Sequence, residues 1–214
     1  MILSRRSIIL SGITVAAAGA LPGFAYAPFD DVNAALDLVD DNTAGFLLEP
    51  VQGEGGFIVP APGFLRTIDQ WAKANGIVMV ADEVQSGIAR TGKWFASEWE
   101  EGFEPDLITV AKGIAGGMPL SGVVGRAEIM DASHAGGLGG TFGGSPTATA
   151  AGVAVLEQIE EGGWLERALE IETVLMSRLS ELKNQYPVIG DLRGKGAMIA
   201  IELVEPGTKA PNAA

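Results

Sequence analysis

Asp106-Leu-Ile-Thr-Val-Ala-Lys112-Gly-Ile-Ala-Gly-Gly-Met-Pro-Leu-Ser-Gly122 is the stretch around which the chain is organised. A short apolar, β-branched run ends in a single lysine, and glycines follow at once. This pattern predicts a buried strand that delivers one amine to the rim of a sheet. Desolvation beside apolar walls favours the neutral, nucleophilic form of an amine, which suits Lys112 to a Schiff base with an aldehyde. The alternative is a solvated lysine at a strand end.

Two apolar runs upstream also end in polar residues. Gly45-Phe-Leu-Leu48 leads into a Glu49–Gly56 loop, and Ile77-Val-Met-Val-Ala81 leads into Asp82-Glu-Val-Gln85. Amphipathic helices are predicted at about 31–44 and 62–75. Strands that alternate with helices indicate an α/β fold with a mostly parallel sheet, whose ligands gather at the carboxyl ends of the strands. Three such ends carry polar groups, which is the main functional signal in the sequence.

Asp82 has a specific chemical use if it is buried at the end of its strand. A buried aspartate is costly unless a cation or a donor meets it. The protonated ring nitrogen of pyridoxal phosphate is such a partner, and that cofactor needs the carboxylate to act as an electron sink. Gln85 can donate to the phenolic oxygen of the same ring, while Lys112 holds the aldehyde and moves a proton. Taken alone, Asp82 and Glu83 are also compatible with a helix N-cap or a surface pair.

Composition excludes several classes of site. Acidic residues outnumber basic ones 27 to 14, and the net charge of −13 argues against a nucleic-acid surface. The chain has no cysteine, which excludes a disulfide framework, a thiolate nucleophile and a zinc-thiolate site. His134 is the only histidine and lies in a glycine-rich stretch typical of a loop rather than of a catalytic triad. No metal site is predicted.

The downstream half predicts one more sheet strand and a second, smaller unit. Val123-Val124 is expected in a strand, and Ser145-Pro146 begins a helix that runs to about residue 161. A second amphipathic helix follows at about 164–184, and strands are expected at 189–193 and 197–204. We therefore predict a partial large domain at residues 28–160 and a partial α+β C-terminal domain at residues 161–214.

Residues 1–27 allow two interpretations. Arg5-Arg6, an Ala/Gly-rich apolar run and Ala25-Tyr-Ala27 have the layout of a twin-arginine export signal. The apolar run is too short and too rich in glycine and alanine to predict a membrane span. The competing interpretation is that the segment is part of the core of a longer enzyme. We favour the core segment, and with it a cytoplasmic protein without a membrane partner.

Four ordered motifs resemble those of the class III (ω-amino) aminotransferases. They are Glu49-Pro-Val-Gln-Gly-Glu-Gly-Gly56, Asp82-Glu-Val-Gln-Ser-Gly87, Ala111-Lys-Gly-Ile-Ala-Gly-Gly-Met-Pro-Leu-Ser-Gly122 and Gly139-Gly-Thr-Phe-Gly-Gly-Ser-Pro146. Within that family the chain is most similar to the branch that acts on 4-aminobutyrate. The pieces that indicate this branch are Ile114-Ala-Gly-Gly-Met-Pro119, Gly136-Gly-Leu-Gly-Gly-Thr141 and Gly194-Lys-Gly-Ala-Met-Ile-Ala-Ile-Glu202.

The resemblance implies a fold type I pyridoxal-phosphate transferase that works as a homodimer with each active site at the subunit interface. The residues it assigns to the cofactor are Asp82 at the ring nitrogen, Val84, Gln85 at the ring oxygen, Lys112 at the Schiff base, and Thr141 at the phosphate of the neighbouring subunit. It places Glu49 near the substrate. Glu54 matches a position that takes part in gating an arginine.

The resemblance covers about residues 22–209, and the family is considerably longer than this chain. A glycine-serine turn for the phosphate, an aromatic residue that stacks on the ring and the substrate arginines have no counterpart, so we expect truncation at both ends. The predicted function is transfer of the amino group of an ω-amino acid, 4-aminobutyrate, to 2-oxoglutarate. The alternatives are another class III transaminase or aminomutase (ornithine, acetylornithine or diamine) and an inactive remnant. Export would be a third possibility if the twin-arginine layout were used.

Overall fold

The computed structural model describes residues 7–11 and 23–212, and its main feature is a six-stranded sheet in the order β2-β1-β3-β4-β5-β6. The strands are β1 (Ser7–Ser11), β2 (Phe24–Ala27), β3 (Thr43–Leu48), β4 (Val78–Asp82), β5 (Leu107–Val110) and β6 (Gly122–Gly125). All neighbouring strands pair in parallel except β5 and β6, which are antiparallel. The mostly parallel α/β sheet predicted from the sequence is therefore confirmed.

Five helices accompany the strands in the described ranges. They are α1 (Val32–Asp37), α2 (Phe64–Ala74), α3 (Ala127–Met130), α4 (Pro146–Glu161) and α5 (Trp164–Gln185). The Asp31 carboxylate caps α1 by accepting from the backbone N–H of Ala34 at 2.9 Å. Pro146 occupies the first turn of α4, as predicted, but the Ser145 side chain makes no capping hydrogen bond.

The core lies between α2 and the central strands. The apolar face of α2 buries Ile68 and Ala72 completely, and Met79 of β4 is equally inaccessible to solvent. Each large apolar side chain that is fully buried contributes roughly 1.5–3 kcal/mol relative to an exposed one. The Phe46 and Trp71 rings meet edge to face at 6.2 Å. This packing joins β3 and β4 to α2, and β5 pairs with β4, so the carboxyl ends of the three strands lie side by side.

A separate two-stranded sheet follows α5. Its strands, β7 (Ile189–Lys195) and β8 (Met198–Leu203), pair antiparallel and form a hairpin. The hairpin turn contacts the large sheet's loops, because the N–H of Ala197 donates to the carbonyl of Arg90 at 3.0 Å. The predicted domain boundary at residues 160 and 161 falls in the last turn of α4, and it stays a prediction.

The N-terminal segment is described only in part. Ser7–Ser11 forms β1, between β2 and β3, and the Ala25-Tyr-Ala27 sequence lies within β2. Arg5, Arg6 and residues 12–22, on which the export-signal interpretation depends, lie outside the described residues. Within residues 7–11 and 23–212, no helix is long and apolar enough to cross a membrane.

Candidate active site

Asp82 and Lys112 follow neighbouring strands of the sheet. β4 and β5 are parallel and adjacent, with Asp82 opposite Thr109 in the register. The Asp82 Oδ1 atom accepts from the Thr109 hydroxyl and from the Val84 N–H, both at 3.1 Å. The described chain gives Oδ2 no hydrogen bond, and the residue is half-buried. One carboxylate oxygen is thus fixed in place while the other is available to a further donor.

Lys112 begins a short helical turn, Lys112–Ala115, directly after β5. Its φ of 45° lies in the left-handed region that non-glycine residues rarely adopt. The Lys112 Nζ atom donates to Gln85 Oε1 at 2.7 Å, so the structure joins two of the predicted site residues directly. The expectation of apolar walls around the amine is wrong for this chain, because Lys112 is exposed. The glycines that follow it, Gly113, Gly116 and Gly117, are exposed as well. Because glycine has no side chain, none of them covers the amine.

Glu49 lies at the end of β3, in the same group of charges. Burial raises the pKa of the Glu49 carboxyl above its ordinary value of 4.5, and the charges of Asp82 and Glu54 raise it further. The hydrogen bond from the Gly53 N–H to Glu49 Oε2 (2.5 Å) and the charge of Lys112 act in the opposite direction. Glu49 therefore shares one electrostatic environment with Asp82 and Lys112, whereas Glu54 is exposed.

The Glu49–Gly56 loop packs against Gln85. A Cβ atom added at Gly53 would collide with the Gln85 amide and lie 3.1 Å from Glu49 Oε2, so only glycine fits between these side chains. The loop is fastened from the other side by Arg193 of β7, whose Nε donates to the Gly56 carbonyl at 2.7 Å. The two contacts place the loop over the strand ends.

A cleft of about 270 Å³ opens at this edge of the sheet. Among its lining residues are the predicted Val84, Gln85 and Lys112, together with Phe57, Ile88 and Met198. The sequence analysis missed the last three. Phe57 directly follows a glycine pair and has a φ of 53°, and Met198 lies in a motif that was used only for the resemblance. A glycine pair before an aromatic residue was the available signal for Phe57.

A second, larger groove of about 550 Å³ runs between α4 and α5. It shares Ile88, Arg90, Gly113 and Ala197 with the cleft, but none of the predicted site residues lines it. Its lining is mostly apolar, which suits packing against another apolar surface and offers few groups that could transfer a proton. The chemistry is therefore placed in the smaller cleft.

Four of the predicted site residues are absent from the cleft lining. Asp82, Glu49 and Glu54 belong to the adjoining strand ends and loop, whereas Thr141 lies in the segment 131–144, whose residues are all exposed. The resemblance assigns Thr141 to the phosphate of a neighbouring subunit, and an exposed position is compatible with that role.

The site residues fit pyridoxal phosphate in their chemistry. Asp82 offers a free carboxylate oxygen for a ring N–H, Gln85 an amide for a ring oxygen, and Lys112 a primary amine. Among the residues that the structure describes, no group of three or more His, Asp or Glu side chains could hold a metal ion.

Comparisons with known proteins agree with this chemistry. The family model for aminotransferase class III matches residues 23–214. The chain is 57% identical over 175 residues to a 4-aminobutyrate aminotransferase of Mycobacterium tuberculosis, a match that covers 81% of this chain and 39% of the relative. It is 48% identical over 191 residues to a 5-aminovalerate aminotransferase of Pseudomonas putida, covering 86% of this chain and 45% of that one.

Among solved structures, the ornithine aminotransferase of Toxoplasma gondii superposes with a TM-score of 0.86 at 32% identity. That match covers 95% of this chain and 53% of the other. An acetylornithine aminotransferase of Elizabethkingia anophelis gives a TM-score of 0.84 at 36% identity, covering 94% of this chain and 51% of the other. The chain thus spans about half the length of these structures and less than half of the two sequence relatives.

Proposed function

The chain belongs to the class III aminotransferases, and from that premise we propose that its site performs pyridoxal-phosphate-dependent transamination, with 4-aminobutyrate as amino donor and 2-oxoglutarate as acceptor. The observation that carries the proposal is the placement of Asp82 and Lys112 after adjacent parallel strands, with Gln85 bonded to the lysine. Parallel neighbours deliver both side chains to one edge of the sheet.

Each site residue has a defined task in this proposal. When bound, pyridoxal phosphate supplies an electron sink for the charge that develops on the substrate carbon. Asp82 Oδ2 would accept a hydrogen bond from the protonated ring nitrogen, while Thr109 and the Val84 N–H keep the carboxylate oriented through Oδ1. Lys112 Nζ would hold the cofactor covalently at its aldehyde carbon and, once released as a free amine, would move a proton to and from the substrate carbon. The Gln85 amide would donate a hydrogen bond to the ring oxygen.

The choice of amino donor rests on similarity and on Glu49. The 57% identity to a 4-aminobutyrate aminotransferase favours that substrate. A 5-aminovalerate enzyme at 48% identity and an ornithine aminotransferase of Exiguobacterium at 45% support a second candidate, a longer ω-amino acid or a diamino acid. Glu49 lies close enough to Lys112 for their charges to interact, and this supports the proposal that its carboxyl meets an ammonium or guanidinium group of the incoming substrate.

A second copy of the chain is the proposed partner. Val124 of the edge strand β6 is 60% exposed, and Phe142, next to Thr141, is 87% exposed. A soluble protein rarely leaves an unpaired edge strand with apolar side chains in water. Pairing through this face would cover them, and it would carry Thr141 toward the neighbouring subunit's phosphate site.

Lys112→Ala tests the proposal directly. Protein mixed with pyridoxal phosphate is expected to develop a visible absorption band. Borohydride should abolish the band and fix the cofactor's mass on the peptide that contains Lys112. Lys209→Ala, at an exposed lysine in the C-terminal tail, is the matched control and should behave like the parent. A parent protein without the band, or a band that persists in Lys112→Ala, contradicts the proposal.

A donor panel separates the candidate substrates. With 2-oxoglutarate as acceptor, glutamate formation is measured with 4-aminobutyrate, 5-aminovalerate and ornithine as donors. We expect the highest kcat/KM with 4-aminobutyrate. Preference for ornithine would favour the second candidate while leaving the role of Lys112 intact.

A further inference from the structure

Glu83 is a buried carboxylate that the proposed mechanism does not use. It is 0% exposed, although it directly follows Asp82. Its two oxygens accept four hydrogen bonds from three residues: the Ser86 hydroxyl at 2.6 Å, the Ala96 N–H at 3.0 Å, the Ser97 N–H at 2.7 Å and the Ser97 hydroxyl at 2.6 Å. These donors come from the turn after β4 and from the short helical turn Ala96–Trp99.

Among the described residues, only these hydrogen bonds offset the desolvation cost of burying the Glu83 carboxylate. None of the ion pairs between described residues includes Glu83. A buried carboxyl group without a cation is costly unless donors saturate it. An apolar residue would fill the same space without that cost, so the carboxylate must serve the geometry of its surroundings.

Those surroundings include two parts of the candidate site. The Glu83 N–H donates to the carbonyl of Thr109, whose hydroxyl holds Asp82, at 3.1 Å. The Glu83 carbonyl accepts from the Gly87 N–H at 3.0 Å and so closes the turn that carries Gln85. The backbone of Glu83 therefore contacts β5 and this turn, and its side chain contacts the Ala96–Trp99 turn.

We propose that Glu83 is a positioning residue that holds Asp82 and Gln85 in register with Lys112. The inference rests on the proposed function for its catalytic consequence. The fixed carboxylate anchors the backbone between Asp82 and Gln85 to the Ala96–Trp99 turn. Without this anchor the turn after β4 shifts, and both the Asp82 carboxylate and the 2.7 Å contact of Gln85 with Lys112 lose their orientation.

Glu83→Gln tests the anchor at nearly constant volume. The amide keeps one acceptor oxygen, but its NH₂ group faces donors, so part of the four-bond set is lost. Glu98→Gln is the matched control. Glu98 lies on the same short turn and accepts from the Phe95 N–H at 2.7 Å, but it is exposed, and its side-chain contacts do not reach residues 82–87.

The first measurement is amide hydrogen exchange on the protein without cofactor. In Glu83→Gln, peptides covering residues 82–90 should exchange about tenfold faster, the effect of losing one buried hydrogen bond. Peptides of α2 should be unchanged, and Glu98→Gln should leave residues 82–90 at the parent rate. Faster exchange throughout the chain, including α2, would show a general stabilising role and overturn the inference. Ser97→Ala, which removes one donor, is the milder variant if Glu83→Gln does not fold.

The second measurement is the affinity for pyridoxal phosphate and the pH midpoint of the visible band. Glu83→Gln should bind the cofactor about tenfold more weakly and shift the midpoint, and Glu98→Gln should do neither. Unchanged affinity and midpoint would also overturn the inference. If the parent binds no cofactor, the proposed function fails, while the exchange experiment still decides whether Glu83 orders residues 82–90.

Discussion

Three carboxylates at the strand ends are held in three different ways. Asp82 keeps one oxygen bonded to Thr109 and Val84 and the other free. Glu83 has both oxygens saturated by donors. Glu49 is half-buried with a single backbone donor, so desolvation prevails and its pKa rises. The pKa of Glu49 therefore lies above the ordinary value of a glutamate.

Replacement of Glu49 by glutamine should change how stability depends on pH. A carboxyl whose pKa is raised by folding binds its proton more tightly in the native state. Its contribution to stability is full below the ordinary value of 4.5 and is lost as the pH rises through the raised native value. Relative to the parent, Glu49→Gln should therefore gain free energy of unfolding as the pH rises above 4.5. Urea denaturation at a series of pH values from about 5 to about 8 measures this difference.

A difference between Glu49→Gln and the parent that stays constant, or one that falls as the pH rises, would contradict the raised pKa of Glu49.

At the level of elements, the β7–β8 hairpin completes the cleft. Its turn lies on the segment 88–99, where Lys195 Nζ stands 3.7 Å from the centroid of the Trp99 ring. The next residue, Gly196, packs against the backbone of Thr91. Since Met198 of the same hairpin lines the cleft together with Lys112, the position of this turn affects the shape of the site.

Gly196→Ala should loosen this docking. Gly196 has a φ of 59°, and an added Cβ would collide with the Thr91 backbone. We expect a loss of about 1–3 kcal/mol from the backbone strain and a similar further loss from the overlap. Gly207→Ala is the matched control. Gly207 has a φ of 79°, so alanine is strained there too, but an added Cβ would have no atom within 4 Å. Thermal unfolding that shows equal losses for the two variants would mean that the turn does not pack tightly.

The elements themselves could be predicted from the sequence where a local pattern decides them. The apolar run that ends at Ala81 and the proline at the start of α4 lie within one or two residues of the observed bounds. The helix predicted at 31–44 ends early, at Asp37. The cause is a polar turn in which the Asp40 N–H donates to the Thr43 hydroxyl at 3.0 Å, since such side chains compete with helical hydrogen bonds.

The site could be predicted only as far as strand ends determine it. Asp82, Gln85 and Lys112 could be assigned to one edge of the sheet because the carboxyl ends of parallel strands meet there. That assignment needs only the order of strands and helices along the chain. The tertiary contacts followed no local pattern. Arg193 reaches Gly56 across 137 positions of sequence, and three of the four hydrogen bonds to Glu83 come from residues 13 and 14 positions away. A long-range contact of this kind leaves no periodic signal in the sequence.

At the scale of the whole molecule, two properties of the surface oppose each other. A net charge of −13 makes copies of the chain repel. The β6 edge and the segment that follows nonetheless expose Val123, Val124 and Phe142, and burial of apolar surface gains about 25 cal/mol per Å². These exposed apolar side chains favour association where a second apolar surface covers them, and salt, which screens the repulsion, should strengthen that association.

Val124→Lys should therefore separate the proposed dimer. A lysine on an edge strand discourages pairing with a second copy, because its charge would have to be buried. Val174→Lys is the control, since Val174 on α5 is 61% exposed against 60% for Val124. Light scattering coupled to gel filtration should give the parent and Val174→Lys about twice the mass of Val124→Lys. A parent of monomer mass, or a dimer that Val124→Lys leaves intact, would remove β6 from the subunit interface and leave Thr141 without a route to a neighbouring site.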